Sequence, residues 1–348
     1  MPFTKLQFRP GINRETTSYT NEGGWFDCDK VRFRYGVPEK IGGWYPVSVN
    51  TFLGTCRALH PWVALDGTQF MGVGTNLKYY IEEGGSLNDI TPIRLTTSAG
   101  DVTFAATNGS AVITATETGH GAIQDDFVTF TDAVSLGGTV TAAVLNQEYQ
   151  ITDIVNANSY KFTATAAANG SDTGNGGGAT VAAYQIHVGL DTSVGGSGWG
   201  AGTWGRSTWG SISSLIASGA QLRLWSQDNF GEDLLMNDRD GGIYYWDRSD
   251  SSSSFVRAVA LSTESSDAGT PTVAKQILVS DVDKHVIAFG CDPQTAIGTQ
   301  DPLLIRFSDQ ESLTDWTATS TNTAGSLQVG SGSEIVGAVE TKQQVVVF

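Results

Sequence analysis

Apolar residues in this chain come in short runs, each closed by Gly, Asn, Asp or Ser, and the runs pair up. The clearest pair lies in Gly231 to Arg248, GEDLLMNDRDGGIYYWDR, where Leu234-Leu235-Met236 and Ile243-Tyr244-Tyr245-Trp246 flank Asn237-Asp238-Arg239-Asp240-Gly241-Gly242. Asp and Gly tolerate positive φ and reverse a chain tightly, so the pattern predicts a β-hairpin turned by Asp238, Asp240, Gly241 and Gly242, with at least one of the glycines at positive φ. Two further pairs read alike: Gln69 to Val73 with Leu77 to Ile81, and His285 to Phe289 with Leu303 to Phe307.

Each pair has an apolar run before it (Cys56 to Ala64, Gln221 to Trp225, Lys275 to Val279) and a more polar one after it (Leu87 to Pro92, Phe255 to Leu261, Leu313 to Trp316). Four strands per repeat is the pattern of a β-propeller blade, whose two faces are buried against its neighbours. A sandwich of unrelated hairpins is the alternative, since no WD or kelch signature is present. A fourth repeat begins at Glu334 to Val339 and reaches Gln344 to Phe348. An apolar strand without a polar cap and an open set of blades would expose a sheet edge and a blade face, and on that ground the native polypeptide is expected to continue past Phe348.

The fold class expected is therefore all-β: a propeller-like body, incomplete in this chain, with an inserted small β-barrel or sandwich. The divisions are 1–96 (N-terminal arm and first blade), 97–188 (inserted β-domain) and 189–348 (Trp/Gly loop and further blades). The insert stands out by composition, with Lys161 its single basic residue against eight acids, and with alternating runs such as Asp126 to Phe130 and Ser159 to Thr163. A content of 42 Gly and only 16% charged residues agrees with short strands and tight turns.

Charge changes the picture in one respect. The formal net charge is −16, yet residues 1–60 hold eight of the 20 basic residues against five acids, leaving the rest with 12 against 31. An acidic body argues against a surface that grips nucleic acid by neutralising phosphates. It fits simple solubility, or a surface that nucleic acid slides past.

Between Cys28 and Tyr35 the residues alternate, predicting a half-buried strand with Val31, Phe33 and Tyr35 on one face and Lys30, Arg32 and Arg34 on the other. The cations are candidates for an interface with an acidic partner, or for pairing with Asp27, Asp29 and Glu39. Gly36-Val37-Pro38 is expected to turn the chain. The opening PGIN…GGW…DKVRFRYGVPEKIGGW, together with YYWD and FSDQESLTDW (Phe307 to Trp316), resembles structural proteins of the tail machine of short-tailed bacteriophages, the hub or nozzle family of packaged-DNA stabilisation proteins. The resemblance covers residues 1 to about 95 and about 190 to 348. It implies a non-enzymatic virion protein, assembled in the host cytoplasm. Copies would form a ring, expected to be a hexamer, at the tail tip, touching portal or adaptor proteins and tail fibres or spikes, and passing genomic DNA through the lumen without reading its sequence.

Trp199, Trp204 and Trp209 recur every five residues in a glycine-rich stretch. A five-residue interval matches neither helix nor strand, so they are expected on a loop, as a sugar-stacking platform, an anchor patch for a neighbouring subunit or a plug beneath the blades. Chemistry is otherwise sparse. No Walker A, HExxH or GxSxG sequence occurs, His60, His120, His187 and His285 stand singly, and Cys28, Cys56 and Cys291 are too scattered for a disulfide framework or metal site. No cofactor is expected. The acid pairs Asp27/Asp29, Asp125/Asp126, Asp238/Asp240 and Asp281/Asp283 leave a second function open, a tail adhesin that binds or degrades host surface glycan, since glycoside hydrolysis needs two carboxylates across a cleft.

Overall fold

The computed structural model describes residues 9–17, 19–43, 45–46, 48–175, 178–191, 222–250, 255–342 and 344–348. The chain divides into two units, Met1–Val49 and Asn50–Phe348.

In the first unit, Val31–Arg34 and Val37–Lys40 form a two-stranded antiparallel hairpin in which Arg34 faces Val37. The turn is Tyr35-Gly36, with φ of 50° and 80°, so both central residues are left-handed, as a tight two-residue hairpin requires. Two expectations are corrected here. Pro38 lies within a strand opposite Phe33, and Tyr35 is an exposed turn residue that does not share the inward face of Val31 and Phe33. Proline is tolerated because a two-stranded ribbon is all edge. Trp25 packs edge-on against Phe33 with ring centroids 6.1 Å apart.

The second unit is built of antiparallel sheet. Three four-stranded meanders follow one another. The first contains Cys56–Val63, Gln69–Thr75, Tyr79–Glu83 and Ser86–Asp89. The second contains Trp225–Phe230, Asp233–Asp238, Ile243–Trp246 and Val259–Ala260. The third contains Gln276–Val279, Val286–Phe289, Leu304–Phe307 and Gly325–Gln328. A hairpin of Ala338–Glu340 and Val345–Val347 comes last.

Alternation along the strands explains why the sheets stack. In Asp233–Asp238, Leu234 and Met236 join the core shared with the first meander, while Leu235 joins the core shared with the third. In Gln276–Val279, Ile277 and Val279 face the second meander, and Leu278 packs with Ile335 and the last hairpin. A strand buried on both faces reads as a continuous apolar run, which is how these runs read in the sequence.

Two outer elements differ from expectation. Leu313 to Trp316 is not the fourth strand of its meander; Gly325–Gln328 is. Trp316 is instead a buried plug, its Nε1 donating to Leu313 O at 2.8 Å, and Asp267 accepts the backbone N–H groups of Trp316 (2.7 Å) and Thr317 (2.6 Å). The run ending at Trp225 only touches the first strand of the second meander, which continues through the polar residues Ser226 to Asn229.

Residues 93–185 form one eight-stranded sheet. Its spatial order is 172–175, 103–106, 112–116, 159–163, 148–156, 127–131, 181–185 and 93–96. The strand Ile93–Thr96 belongs to it, just ahead of the change in composition at 97. Register shifts at Ile151/Asp153 and Ile154/Asn156 bend the long strand Glu148–Asn156. A bulged strand bends and twists its sheet, so the two halves wrap a single core of Phe104, Phe130, Tyr149, Tyr160, Phe162 and Tyr184.

Candidate functional site

The hairpin singled out by the sequence is present, with Asn237 opposite Ile243. Its turn works differently from expectation. Neither Gly241 nor Gly242 has positive φ; the left-handed residue is Asp240, at 60°. Aspartate adopts this conformation at little cost because its short polar side chain bonds locally. The glycines are needed for space: a Cβ on Gly241 would overlap the Asp238 carboxylate, and one on Gly242 would overlap the Tyr244 hydroxyl. Asn237, fully buried, anchors the turn by donating to Gly242 O at 2.9 Å and to Ala274 O at 3.1 Å.

The two polar groups that the glycines accommodate line a pocket of about 660 Å³, together with Arg94, His187, Arg223 and Arg257. That volume lies within the range of small-molecule sites. Arg94 comes from the edge strand of the eight-stranded sheet, Arg223 from the approach to the second meander and Arg257 from just before its fourth strand, so the pocket sits where the eight-stranded sheet meets the second meander.

The charges around it sort into satisfied and unsatisfied groups. Arg257 is satisfied: it donates to Asp89 (3.2 Å), to Glu148 (3.1 Å) and to Thr91 O (2.9 Å). Lys78, almost fully buried, completes this cluster by binding Asp89 at 2.7 Å and Glu148, with its Nζ 4.4 Å from the Phe127 ring centroid. Burial pulls the Asp89 carboxyl up, yet Arg257 and Lys78 together hold it below the ordinary aspartate value. The cluster pins the eight-stranded sheet, through Glu148, to the first and second meanders. His187 is tied by Nδ1 to the buried Asp126 at 2.8 Å.

Arg223 and Asp238 are only partly satisfied. They face each other at 3.6 Å, long for a salt bridge, and the Arg223 side chain is only 9% exposed. Arg223 Nη2 donates to His187 O, but among the described residues its Nη1 has no hydrogen-bond partner, and Asp238 Oδ1 and Arg94 Nε have none either. Burial raises the Asp238 carboxyl above its ordinary value, more than Arg223 lowers it. A buried polar group left unpaired costs about 1–3 kcal/mol, so three such atoms around one pocket make it the candidate site for a polar ligand.

A larger cleft of about 900 Å³ runs past Asp66, Glu232, Asp233, Asp247 and Glu311. Its acids are engaged in building turns: Asp233 accepts the Tyr245 hydroxyl at 2.7 Å and the Arg248 N–H at 3.0 Å, and Glu232 accepts the Leu65 N–H. Among the described residues, no group of three or more His, Cys, Asp or Glu side chains is placed to hold a metal ion.

The remaining sequence candidates fall as follows. Lys30 lies ahead of its strand and pairs with Asp29 at 3.7 Å, Arg32 pairs with Glu39 at 3.3 Å, and the Arg34 guanidinium is 5.6 Å from the Tyr35 ring centroid. All three have partners in their own unit, and the two ion pairs are exposed and correspondingly weak. Trp199, Trp204 and Trp209 lie outside the described residues. Asp240 accepts from Gln300 at 3.0 Å, apart from the partners of Asp238. The pocket is not legible from the sequence because positions 94, 187, 223, 238, 244 and 257 share no spacing. The one available signal was that arginines are scarce in an acidic chain.

No family model matches this chain, and no curated protein matches it. Among solved structures it is similar to the endosialidase of phage phi92, at 14% identity and a TM-score of 0.25, over 89% of this chain. The chain spans 43% of that structure's length, and a likeness at that score fixes neither activity nor assembly.

Proposed function

We propose that the protein is an architectural subunit of a phage tail, a hub or nozzle component whose copies assemble into a ring that extends the DNA channel, retains the packaged genome and guides its exit. The observation that carries this reading is that the residues of the tail-protein resemblance are framework residues. Val31–Arg34 and Val37–Lys40, from DKVRFRYGVPEK, make the hairpin of the first unit. Tyr244 to Trp246, from YYWD, lie in a central strand of the second meander, and FSDQESLTDW ends in the Trp316 plug clamped by Asp267. A motif that positions strands and plugs is what a mechanical part requires.

Successive meanders share apolar cores, which supports the propeller reading, and both the first meander and the last hairpin expose apolar positions: Leu59 and Val63 on the one, Val336, Val339 and Phe348 at the other. Such surfaces suit another copy of the chain. The net negative charge of the body favours an acidic channel lining, past which DNA slides. The groove along the first strands is of another kind, carrying Arg57, Arg239 and Lys275 against Asp228.

Analytical ultracentrifugation and electron microscopy of the purified chain, with imaging of the particle, test this. A closed ring on the tail axis is the expected outcome; a monomer attached to the side of the particle would overturn it. The adhesin alternative is favoured by one observation, the pocket with unpaired polar groups at Arg223 and Asp238.

A further inference from the structure

We propose that the pocket between Arg94, Arg223, Asp238 and Tyr244 is a binding site for a hydroxyl-rich monoanion, an acidic sugar bearing one carboxylate. The inference stands whether or not the chain forms a ring.

Unpaired guanidinium donors select an anionic group, and the acids around them limit it to one. Arg257 and Lys78 are balanced by Asp89 and Glu148, so that cluster adds no net charge to the pocket. Arg94 and Arg223 remain, with Asp238 facing Arg223, Glu117 acting on Arg94 and Asp240 acting on Asp238. A ligand with a second anionic group would meet these carboxylates unscreened in a site of low dielectric.

Hydrogen-bond capacity selects the rest of the ligand. Among the described residues Arg223 Nη1 is a buried donor without an acceptor, and Arg94, its guanidinium 5.4 Å from the Tyr184 ring centroid, gives a hydrogen bond from Nη2 to His120 O at 3.4 Å and none from Nε. Guanidinium groups bind carboxylates by paired N–H donors, so a small shift of either side chain toward the pocket would satisfy them. Among the described residues Asp238 Oδ1 is an acceptor without a donor, which a neighbouring sugar hydroxyl would supply. Ser262, Thr263 and Thr272 add hydroxyls to the wall, and Tyr244 adds a ring edge and its own hydroxyl. The room for Asp238 and Tyr244 exists because positions 241 and 242 are glycine.

Isothermal titration and saturation-transfer NMR on the whole chain, with D-glucuronate as probe and D-glucose and inorganic phosphate as comparisons, test the proposal. Glucuronate is expected to bind at least tenfold more tightly than either comparison, and Arg223→Met and Asp238→Asn are each expected to weaken it about tenfold, while an Asp66→Asn control in the other cleft leaves it unchanged. Should Arg223→Met fail to fold, Arg94→Met removes the second guanidinium and reads the same loss. Binding of glucuronate no tighter than glucose, a preference for phosphate, or undiminished glucuronate binding in the folded variants would each overturn the proposal.

Discussion

Asp228 accepts the backbone N–H of Val279 at 2.8 Å, joining the first strand of the second meander to the first strand of the third. Two residues earlier Ser226 does the same for Ile277 at 3.0 Å. The device continues into the last hairpin, where Gln276 exchanges two hydrogen bonds with Ala338 (2.7 and 2.8 Å) and Glu340 accepts the Asp281 N–H at 3.1 Å. Side chains thus stand where a neighbouring strand would pair, since first strands of successive sheets splay too far to form a ladder but still carry donors that need acceptors.

Removing one of these acceptors leaves a buried N–H unpaired. Asp228→Ala is expected to destabilise the chain by about 1–3 kcal/mol, and Ser226→Ala by less. Urea unfolding checks this; an unchanged midpoint for Asp228→Ala would show that the meanders are held by their apolar cores alone.

The turn of the central hairpin gives a test that separates conformation from space. Asp240→Val is expected to cost about 1 kcal/mol or more, because a β-branched residue is strained at positive φ. Gly241→Ala is also expected to destabilise, by overlap with Asp238, and Asp238→Ala in the same chain should recover part of the loss. Additive melting shifts in the double variant would mean that the overlap is relieved in some other way.

The buried cluster of Lys78, Asp89, Glu148 and Arg257 makes a pH-dependent clamp. The Asp89 carboxyl titrates below its ordinary value in the folded chain, so its contribution is present above the ordinary aspartate range and is lost as pH falls through the lowered folded value. Lys78→Met, which leaves Asp89 and Glu148 to Arg257 alone, is expected to cost on the order of 3 kcal/mol at neutral pH and less in acid. Thermal melts from pH 7 to pH 3 read the difference; a constant gap between wild type and variant would contradict it.

The eight-stranded sheet wraps its own core, and residues 93–188 are expected to fold when excised. Circular dichroism and a cooperative melt of that fragment check this. An unfolded fragment would mean that the Glu148 clamp and the meanders are needed to hold the sheet together.

Sequence by itself determined the class and most of the strands. Leu234 to Met236, Ile277 to Val279 and the other apolar runs are legible because burial on two faces demands apolar residues whatever the neighbours are. The alternation in the insert was legible for the same local reason, and so was the turn around Asp240, although its glycines were credited with the wrong property. Tertiary structure alone decided the rest. Ser226 to Asn229 form a strand despite their polarity because the next sheet supplies N–H groups for Ser226 and Asp228 to accept. Trp316 is a plug because Asp267, 49 residues away, holds its backbone. Arg94, Arg223 and Asp238 converge only when the insert returns the chain beside the second meander. Local periodicity records which faces are buried, while electrostatic and hydrogen-bond partners are drawn from distant stretches, and no spacing in a single sequence encodes them.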